Sequence, residues 1–425
     1  MGKPNGRAAR LPHHYGAASI PLAAARWKAK QGGNESLVPD EALGWISRGE
    51  AIEGRAMRLC QVVEAAAGGT GRHVIELTRG MAARGHELTL IYSPLRADAL
   101  FAEGLSALAA KLVPLAMPRA VGWNDLGAAR GLGRLIRERG PFAVVHGHSS
   151  KAGVVTRIAD VAGAARVYTP HALRTLDPGL GRVARTGIGL AERWLGGRRT
   201  DALIAVSGAE WDEAGRLGIG EARRHLIPNR LSGYAHRSRD RAREALGAGE
   251  GELWLGFVGR LCAQKAPLEF VGAAIGAMRR CAAVRALVVG DGEHAPLVEQ
   301  AIAASGFAER FIWQRDADAR EWIAAVDLLV VTSRYEGMPY AMLEALAAGV
   351  PILSTRVGGA EELLRDGAGE IAFAEDLPGR LLALISRPAL LERLRVVAGR
   401  AGDECRGEQM IDRIEALYRR VARAS

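Results

Sequence analysis

The segment Ser333-Arg-Tyr-Glu-Gly-Met-Pro-Tyr-Ala-Met-Leu-Glu-Ala-Leu-Ala-Ala-Gly-Val-Pro351 follows an apolar run at 327–332 and predicts a strand, a loop and a helix in that order. Pro339 fits the first helical position, where its missing N–H costs no hydrogen bond, and Gly349 followed by Pro351 marks the helix end. A helix N-terminus offers unpaired amides and the positive end of the helix dipole. We therefore expect an anion site on the backbone of Gly337, Met338, Pro339 and Tyr340.

Two carboxylates bracket this predicted anion site. Glu336 lies in the loop, and Glu344 lies on the second turn of the predicted helix. One carboxylate can accept hydrogen bonds from both hydroxyls of a sugar diol. The pattern therefore suits a nucleotide-sugar better than a bare phosphate. A solvated helix with glutamate on its outer face is the alternative interpretation.

A second candidate segment, Gly259-Arg-Leu-Cys-Ala-Gln-Lys265, follows the predicted strand at 253–258. Arg260 and Lys265 both lie in this strand-to-helix loop, where they can converge on one anion. Arginine offers a planar fork of donors and lysine a point charge, which suits a diphosphate that gains negative charge as it leaves. Surface salt bridges are the alternative role for both residues.

Strands, glycine-containing loops and helices alternate along the chain, which predicts parallel sheets with helices on both faces. The predicted strands are 58–64, 87–92, 111–116, 142–146, 166–169, 201–207, 225–229, 253–258, 284–290, 310–313, 328–332, 351–354 and 370–373. They fall into two similar series and predict an α/β protein of two Rossmann-like domains facing each other across a cleft. We predict a disordered extension at 1–55, domains at 56–230 and 253–405, a linker at 231–252, and a terminal helical segment at 406–425.

Composition narrows the class of protein. The 425 residues carry a formal charge of +10, and 48% of them are hydrophobic, which is ordinary for a globular chain. The four cysteines form no Cys-x-x-Cys pair, so we expect a reducing, cytoplasmic environment without disulfides or a zinc-cysteine site. With 5% aromatic residues and no basic block interleaved with aromatics, nucleic acid is not an expected partner.

The glycine-rich segment Ala65-Ala-Ala-Gly-Gly-Thr-Gly71 joins the first strand to a predicted helix at 71–84. It lacks the G-x-G-x-x-G spacing of a dinucleotide site. We expect a loop at the sheet edge whose backbone, at Gly69 in particular, approaches a ligand. Glycines needed only for a tight turn are the alternative.

Two predicted strands of the first half end in histidine. In His146-Gly-His148, the glycine makes a continued strand unexpected, so we do not expect both rings on one face or a metal site there. His171, after Thr169-Pro170, is the better functional candidate because the carboxyl ends of parallel strands face the ligand crevice. Asp316-Ala-Asp318 resembles a metal-binding pair but precedes a short helix, where aspartate is a normal cap. We expect no metal.

A basic amphipathic segment runs from Leu180 to Arg199. It fits either an anionic membrane surface, such as the inner leaflet, or a helix packed on the core with one solvated side, and the latter is slightly favoured.

Several short motifs together resemble glycosyltransferase family 4, the retaining transferases of GT-B fold, over about residues 57–420. The motifs are Glu-x7-Glu at Glu336 and Glu344, Gly-Arg-x4-Lys at Arg260 and Lys265, Val289-Gly-Asp-Gly292, Ala205-Val-Ser207, Ile227-Pro-Asn229, and Gly358-Gly359 with Glu362. The run His148-Ser-Ser-Lys151 with Tyr168-Thr-Pro-His171 is similar to members that assemble surface polysaccharides. The family usually has glycine where this chain has Gln314, near the nucleotide base.

The resemblance implies a role for each matching residue. Arg260 and Lys265 hold the donor diphosphate, Glu344 binds the ribose, and Glu336 holds the donor sugar, supported by the backbone from Gly337 to Tyr340. His171 lies beside the sugar, and Gly69 lies at the donor–acceptor junction. The first domain takes the acceptor, the second takes the donor, and the last helix crosses back onto the first domain.

The implied activity is retaining transfer of a sugar from a nucleotide-sugar, UDP-linked in preference to GDP-linked, to a glycan or lipid-linked acceptor. The resemblance implies no metal or other cofactor, and a cytoplasmic enzyme with a possible peripheral membrane contact. A nucleotide-sugar isomerase similar to a UDP-sugar 2-epimerase, or a non-catalytic nucleotide-sugar-binding subunit, are the alternatives.

Overall fold

The computed structural model describes residues 55–118, 122, 124–315 and 317–424. The predicted extension at 1–55 lies outside the described residues, apart from Arg55. The remainder of the chain carries two parallel sheets with helices between their strands, as the sequence predicts.

All paired strands in both sheets are parallel. The first has the order β3-β2-β1-β4-β5-β6-β7, and the second has the order β10-β9-β8-β11-β12-β13. The strands of the first sheet are Arg58–Val63 (β1), Glu87–Tyr92 (β2), Ala110–Pro114 (β3), Val144–His148 (β4), Ala165–Thr169 (β5), Ala202–Ala205 (β6) and Arg224–Leu226 (β7). Those of the second are Leu253–Val258 (β8), Val284–Val289 (β9), Phe311–Gln314 (β10), Leu328–Val331 (β11), Ile352–Thr355 (β12) and Gly369–Ala372 (β13).

The helices connect these strands and cover the sheets. In chain order they are Gly68–Ala83 (α1), Ala99–Ser106 (α2), Asn124–Arg139 (α3), Ser149–Ile158 (α4), Arg182–Arg198 (α5), Gly208–Arg216 (α6), Arg239–Leu246 (α7), Pro267–Arg280 (α8), Ala295–Ala303 (α9), Tyr340–Ala347 (α10), Ala360–Leu364 (α11), Leu377–Ile385 (α12), Pro388–Cys405 (α13) and Gln409–Ala424 (α14). The order of each sheet changes direction at its first strand, so a crevice opens at the carboxyl ends of β1 and β8, where such sheets bind ligands.

Helix α14 crosses back onto the first sheet, as the resemblance implies. Its apolar face, including Ile411 and Ile414, is fully buried with residues of β1 and α1. Helix α1 permits this close approach through Gly80, because a Cβ there would lie 2.4 Å from the Ile411 Cδ1 atom. Each buried isoleucine of this face contributes about 1.5–3 kcal/mol of stability.

Several boundaries differ from the sequence prediction. Gly68 to Gly71 form the first turn of α1 rather than a loop before it, and Pro339 precedes α10 as its cap residue rather than opening it. The predicted linker at 231–252 contains α7, whose buried Ala242 and Leu246 pack in the second domain's core. A polar, arginine-rich helix with only two apolar anchors gives too weak a periodicity to be recognised in sequence. The domain boundaries themselves stay a prediction.

Helix α5 is largely exposed, although the sequence favours a helix packed on the core. Its buried residues are Glu192, Leu195 and Gly196. The Arg157 guanidinium on α4 fixes the helix through two bonds to the Glu192 carboxylate, at 2.7 and 3.0 Å. The opposite face carries apolar side chains into solvent.

Candidate functional site

The two loops that carry the predicted site residues meet because β8 and β11 are neighbouring strands. Their carboxyl ends therefore lie side by side. The Thr332 hydroxyl donates to the carbonyls of Lys265 (2.9 Å) and Ala266 (3.0 Å), and the Arg334 amide donates to the Gln264 carbonyl (2.8 Å). These bonds join the loop after β8 to the loop before α10.

Lys265 and Glu336 form an ion pair within this junction. The Lys265 Nζ lies 2.7 Å from the Glu336 Oε1, and the two side chains are 20% and 8% exposed. The Gln264 side-chain amide donates to the Tyr335 carbonyl at 3.0 Å and lies 3.5 Å from the Glu336 Oε2. The protein thus holds one cation and one carboxylate together beside the N-terminus of α10. Arg260 lies in the same loop and is half-buried.

Glu344 is buried on α10 and forms an ion pair with Arg72, which belongs to α1 of the first domain. The Arg72 Nε also donates to the Glu76 Oε1 at 2.8 Å, and its guanidinium carbon lies 4.8 Å from the centre of the Tyr234 ring. Burial raises the pKa of Glu344 above its usual value, and the Arg72 charge opposes that shift. Burial acts to lower the pKa of Arg72, but Glu344 and Glu76 outweigh it and raise that pKa.

The loop before α10 presses against the first domain. A Cβ at Gly337 would lie 2.8 Å from the His171 carbonyl carbon, so only glycine fits this backbone contact. The Asn229 side-chain amide donates to the Met338 carbonyl at 3.0 Å. Tyr340 is buried, and a Cβ at Gly69 would lie 3.4 Å from its ring. Gly69 therefore lies against the Tyr340 ring at the mouth of α10, the backbone from Gly337 to Tyr340. Its place at the donor–acceptor junction stays a prediction.

Gly358 supports the same loop from the second domain. A Cβ at Gly358 would lie 2.4 Å from the Glu336 carbonyl oxygen and 2.6 Å from that of Gly337. Glu362, on the following helix α11, accepts a 2.6 Å hydrogen bond from the Gly208 amide of the first domain. The Gly358-Gly359 motif thus allows the backbones of two loops to touch beside Glu336.

His171 reaches this region from the first domain. Its backbone is left-handed, with φ of 59°, a conformation that costs free energy in a residue with a side chain and that clusters at functional sites. Its Nε2 lies 3.2 Å from the Nδ1 of His148, and its ring centre lies 4.6 Å from that of His73. The three rings form one cluster at the carboxyl ends of β4 and β5.

Burial keeps this cluster neutral. It lowers the pKa of His73 to about 4, although the hydrogen bond that His73 donates to the Asn229 side-chain oxygen acts to raise that pKa. Burial, followed by the neighbouring histidine rings, lowers the pKa values of His148 and His171 well below the usual value.

The expectation for His146-Gly-His148 is wrong in one respect, since β4 continues through both histidines. Gly147 remains in the strand because α4 packs tightly on it, and a Cβ there would lie 2.8 Å from the Thr156 hydroxyl. The His146 and His148 rings consequently share a face, with centres 3.9 Å apart.

Of the aspartates at 316 and 318, the structure describes Asp318, which is a helix cap. Asp318 accepts a 2.9 Å hydrogen bond from the Arg320 amide at the start of a short 3₁₀ helix, as the sequence predicts. Asp316 lies outside the described residues. Gln314 ends β10, and its carbonyl accepts a 2.9 Å bond from the Gly290 amide.

Sequence reasoning missed Arg72, His73 and Glu76, which lie on the second and third turns of α1. The helix predicted at 71–84 was recognised by its apolar positions, so these three polar residues had no predicted role. Their spacing could have revealed them, since residues three and four apart share one face of a helix. All three lie just after the glycine-rich turn.

Comparisons with known proteins agree with this architecture. The model for "Glycosyltransferase Family 4" matches residues 67–230, and the model for "Glycosyl transferases group 1" matches residues 252–387. A D-inositol 3-phosphate glycosyltransferase of Rhodococcus erythropolis is 27% identical over 312 residues, covering 67% of this chain and 69% of the relative. The lipopolysaccharide core biosynthesis mannosyltransferase LpsB of Rhizobium meliloti is 29% identical over 245 residues, covering 53% of this chain and 67% of the relative.

Solved structures of other proteins share this fold. Anabaena Alr3699/HepE, solved in complex with UDP and glucose, superposes with a TM-score of 0.69 at 20% sequence identity, covering 85% of this chain and 98% of that one. The two family models together span most of both Rossmann-like domains. The chain is therefore a glycosyltransferase of family 4 with the GT-B fold, and its second half is the domain of the group 1 glycosyl transferases.

Proposed function

We propose that this enzyme transfers a sugar, with retention of its anomeric configuration, from a UDP-sugar in preference to a GDP-sugar to a glycan or lipid-linked acceptor in surface polysaccharide assembly. The observation that carries this proposal is at the mouth of α10, where the Lys265–Glu336 pair lies beside the helix N-terminus and Glu344 is buried one turn further on. The name of the LpsB relative, a lipopolysaccharide core enzyme, supports the acceptor class, and the UDP-bound HepE structure supports the nucleotide.

In the proposed complex, Arg260 and Lys265 bind the diphosphate with the backbone of Gly337, Met338 and Tyr340, while Pro339 fixes the turn. Glu344 accepts hydrogen bonds from the ribose hydroxyls. This exchange requires Lys265 to leave Glu336 and Arg72 to yield Glu344. Glu336 then becomes free to hold the donor sugar, which His171 contacts from the first domain.

The proposed reaction breaks the bond between the anomeric carbon and the diphosphate oxygen and forms a bond from that carbon to the acceptor oxygen on the same face. The acceptor proton passes to the leaving phosphate oxygen, so no separate strong base is required. Arg260, Lys265 and the α10 amides stabilise the charge that develops on the diphosphate. We propose that no metal ion takes part.

A donor and acceptor experiment tests this proposal. Thermal-shift measurements across UDP- and GDP-sugars should show stabilisation by the true donor, because a ligand that binds only the folded state raises its stability. Release of UDP should then depend on an added glycan or lipid-linked acceptor. Conversion of the donor alone into an isomeric sugar nucleotide would instead indicate an isomerase, and binding without turnover would indicate a non-catalytic subunit.

We also propose that the enzyme works at the cytoplasmic face of an anionic membrane through helix α5. No helix in the described part of the chain combines the length and apolar character needed to span a membrane. Val183, Leu190 and Trp194 lie on one stripe of α5 and are 89%, 63% and 45% exposed. The exposed Arg182 and Arg193 flank this stripe with positive charge, which suits anionic headgroups.

Replacing Leu190 and Trp194 together with glutamate should abolish sedimentation of the protein with phosphatidylglycerol-containing vesicles, because it adds negative charge to the apolar stripe. Replacing Leu297 and Val396, which are 47% and 54% exposed on α9 and α13, with glutamate provides a matched control that should bind normally. Equal loss in both variants, or full binding by the α5 variant, would contradict membrane contact through α5.

A further inference from the structure

The three-histidine cluster of His73, His148 and His171 has the arrangement of a metal site. One ring nitrogen from each lies within 4.8 Å of those of the other two. The His148 Nδ1 and His171 Nε2 are 3.2 Å apart. Two ligands of a tetrahedral zinc ion lie about 3.3 Å apart when each Zn–N bond is 2.0–2.1 Å.

Hydrogen bonds to other residues leave the required lone pairs available. The Asn229 amide group donates to the Met338 carbonyl, so its oxygen must face His73, whose Nδ1 therefore carries the proton (3.1 Å). The lone pair of His73 is then on Nε2, which is buried and has no hydrogen-bond partner among the described residues. This nitrogen can therefore bind an ion without losing a hydrogen bond.

His148 has the matching arrangement on its other side. Its Nε2 lies 2.8 Å from the Gln61 Oε1, and the Gln61 amide group donates in turn to the Tyr418 hydroxyl at 3.1 Å. The proton is therefore on Nε2, and the lone pair is on the Nδ1 that faces His171. Histidine ligands of metals usually donate their second N–H to an oxygen in this way, which orients the ring.

We propose that His73, His148 and His171 bind one divalent transition-metal ion of the zinc class, with a fourth position left to water. Three neutral imidazoles select zinc and related ions over magnesium or calcium, which prefer oxygen ligands. The bound ion occupies the His171 Nε2 and so removes that ring from the donor sugar. Zinc therefore inhibits transfer, a consequence that rests on the function proposed above.

Metal binding can be measured without any substrate. The chelator-treated full-length protein is titrated with Co²⁺, whose four-coordinate complexes absorb strongly in the visible range, and the band is then displaced with Zn²⁺. We expect one ion per chain, without the near-ultraviolet thiolate band that a cysteine site would add. His73→Asn and His148→Asn should each weaken binding by about 100-fold or more, since even loss of a supporting hydrogen bond to a ligand costs about 10- to 100-fold.

The control variant replaces the adjacent His13 and His14 with asparagine and should keep the band. Absence of the band in the wild-type protein overturns the proposal whatever the variants do, and so does a band lost only in the control. A band that survives in both His73→Asn and His148→Asn also overturns it. Zinc that binds without slowing transfer refutes the inhibition alone, whereas a protein that binds the metal but transfers no sugar refutes only the proposed function.

Discussion

Replacing Lys265 with alanine is expected to lower the rate constant for sugar transfer by about 10²- to 10³-fold, the usual cost of removing one donor from a site that stabilises developing negative charge. Lys265 lies beside Glu336 at the amide-rich mouth of α10, so its ammonium group is available to the departing diphosphate. The loss should appear in kcat, measured by acceptor-dependent UDP release, because the phosphate charge grows as the bond breaks.

Lys111→Ala provides the matched control, since Lys111 is an exposed lysine on β3, away from the α10 mouth. Thermal unfolding of both variants must first establish that they fold, because Lys265→Ala also leaves the buried Glu336 without its cation. A folded Lys265→Ala protein with the wild-type kcat would remove Lys265 from the reaction.

Replacing Gly358 with alanine is expected to reduce transfer by about 100-fold, because a displacement of about 1 Å at reacting groups can cost that much. The new methyl group would lie 2.4 and 2.6 Å from the carbonyl oxygens of Glu336 and Gly337. These are backbone atoms, so the loop before α10 must shift and take the Glu336 carboxylate with it. Transfer kinetics with the donor found in the screen measure this effect.

Gly272→Ala is the corresponding control on the exposed side of α8, where an added Cβ meets no atom within 4 Å. It should leave transfer unchanged and stabilise the protein by up to about 1 kcal/mol, because alanine favours a helix more than glycine does. Gly358→Ala activity equal to that of the Gly272→Ala control would show that the Glu336 loop tolerates displacement.

The sequence predicted those features whose signal is local. Parallel strands followed from apolar runs between glycine turns, and Lys265, Glu336 and Glu344 stood out because each lies at a fixed offset from a strand end or helix start. Neighbouring strands bring such positions together, so the contact between the β8 and β11 loops could be anticipated. The exposure of one face of α5 could not be anticipated, because periodicity identifies an apolar stripe but not whether another part of the protein covers it.

Local sequence patterns could not predict the interactions between the domains. Arg72 and Glu344 are 272 residues apart, and their pairing depends on how α1 meets α10. His146-Gly-His148 misled for a similar reason, because Gly147 stays in the strand only through the packing of α4. From sequence alone, a glycine that ends a strand cannot be distinguished from one that stays in the strand and lets a helix pack closely against it.

Calorimetric binding of UDP and of uridine to the wild-type and Lys265→Ala proteins tests whether a diphosphate is held between Arg260, Lys265 and the mouth of α10. We expect UDP to bind the wild-type protein far more tightly than uridine does. We also expect Lys265→Ala to weaken UDP binding by about 10- to 100-fold, the cost of one charge-assisted hydrogen bond, and to leave uridine binding unchanged. Equal affinities for UDP and uridine in the wild-type protein, or UDP binding that is insensitive to Lys265→Ala, would contradict this placement of the diphosphate.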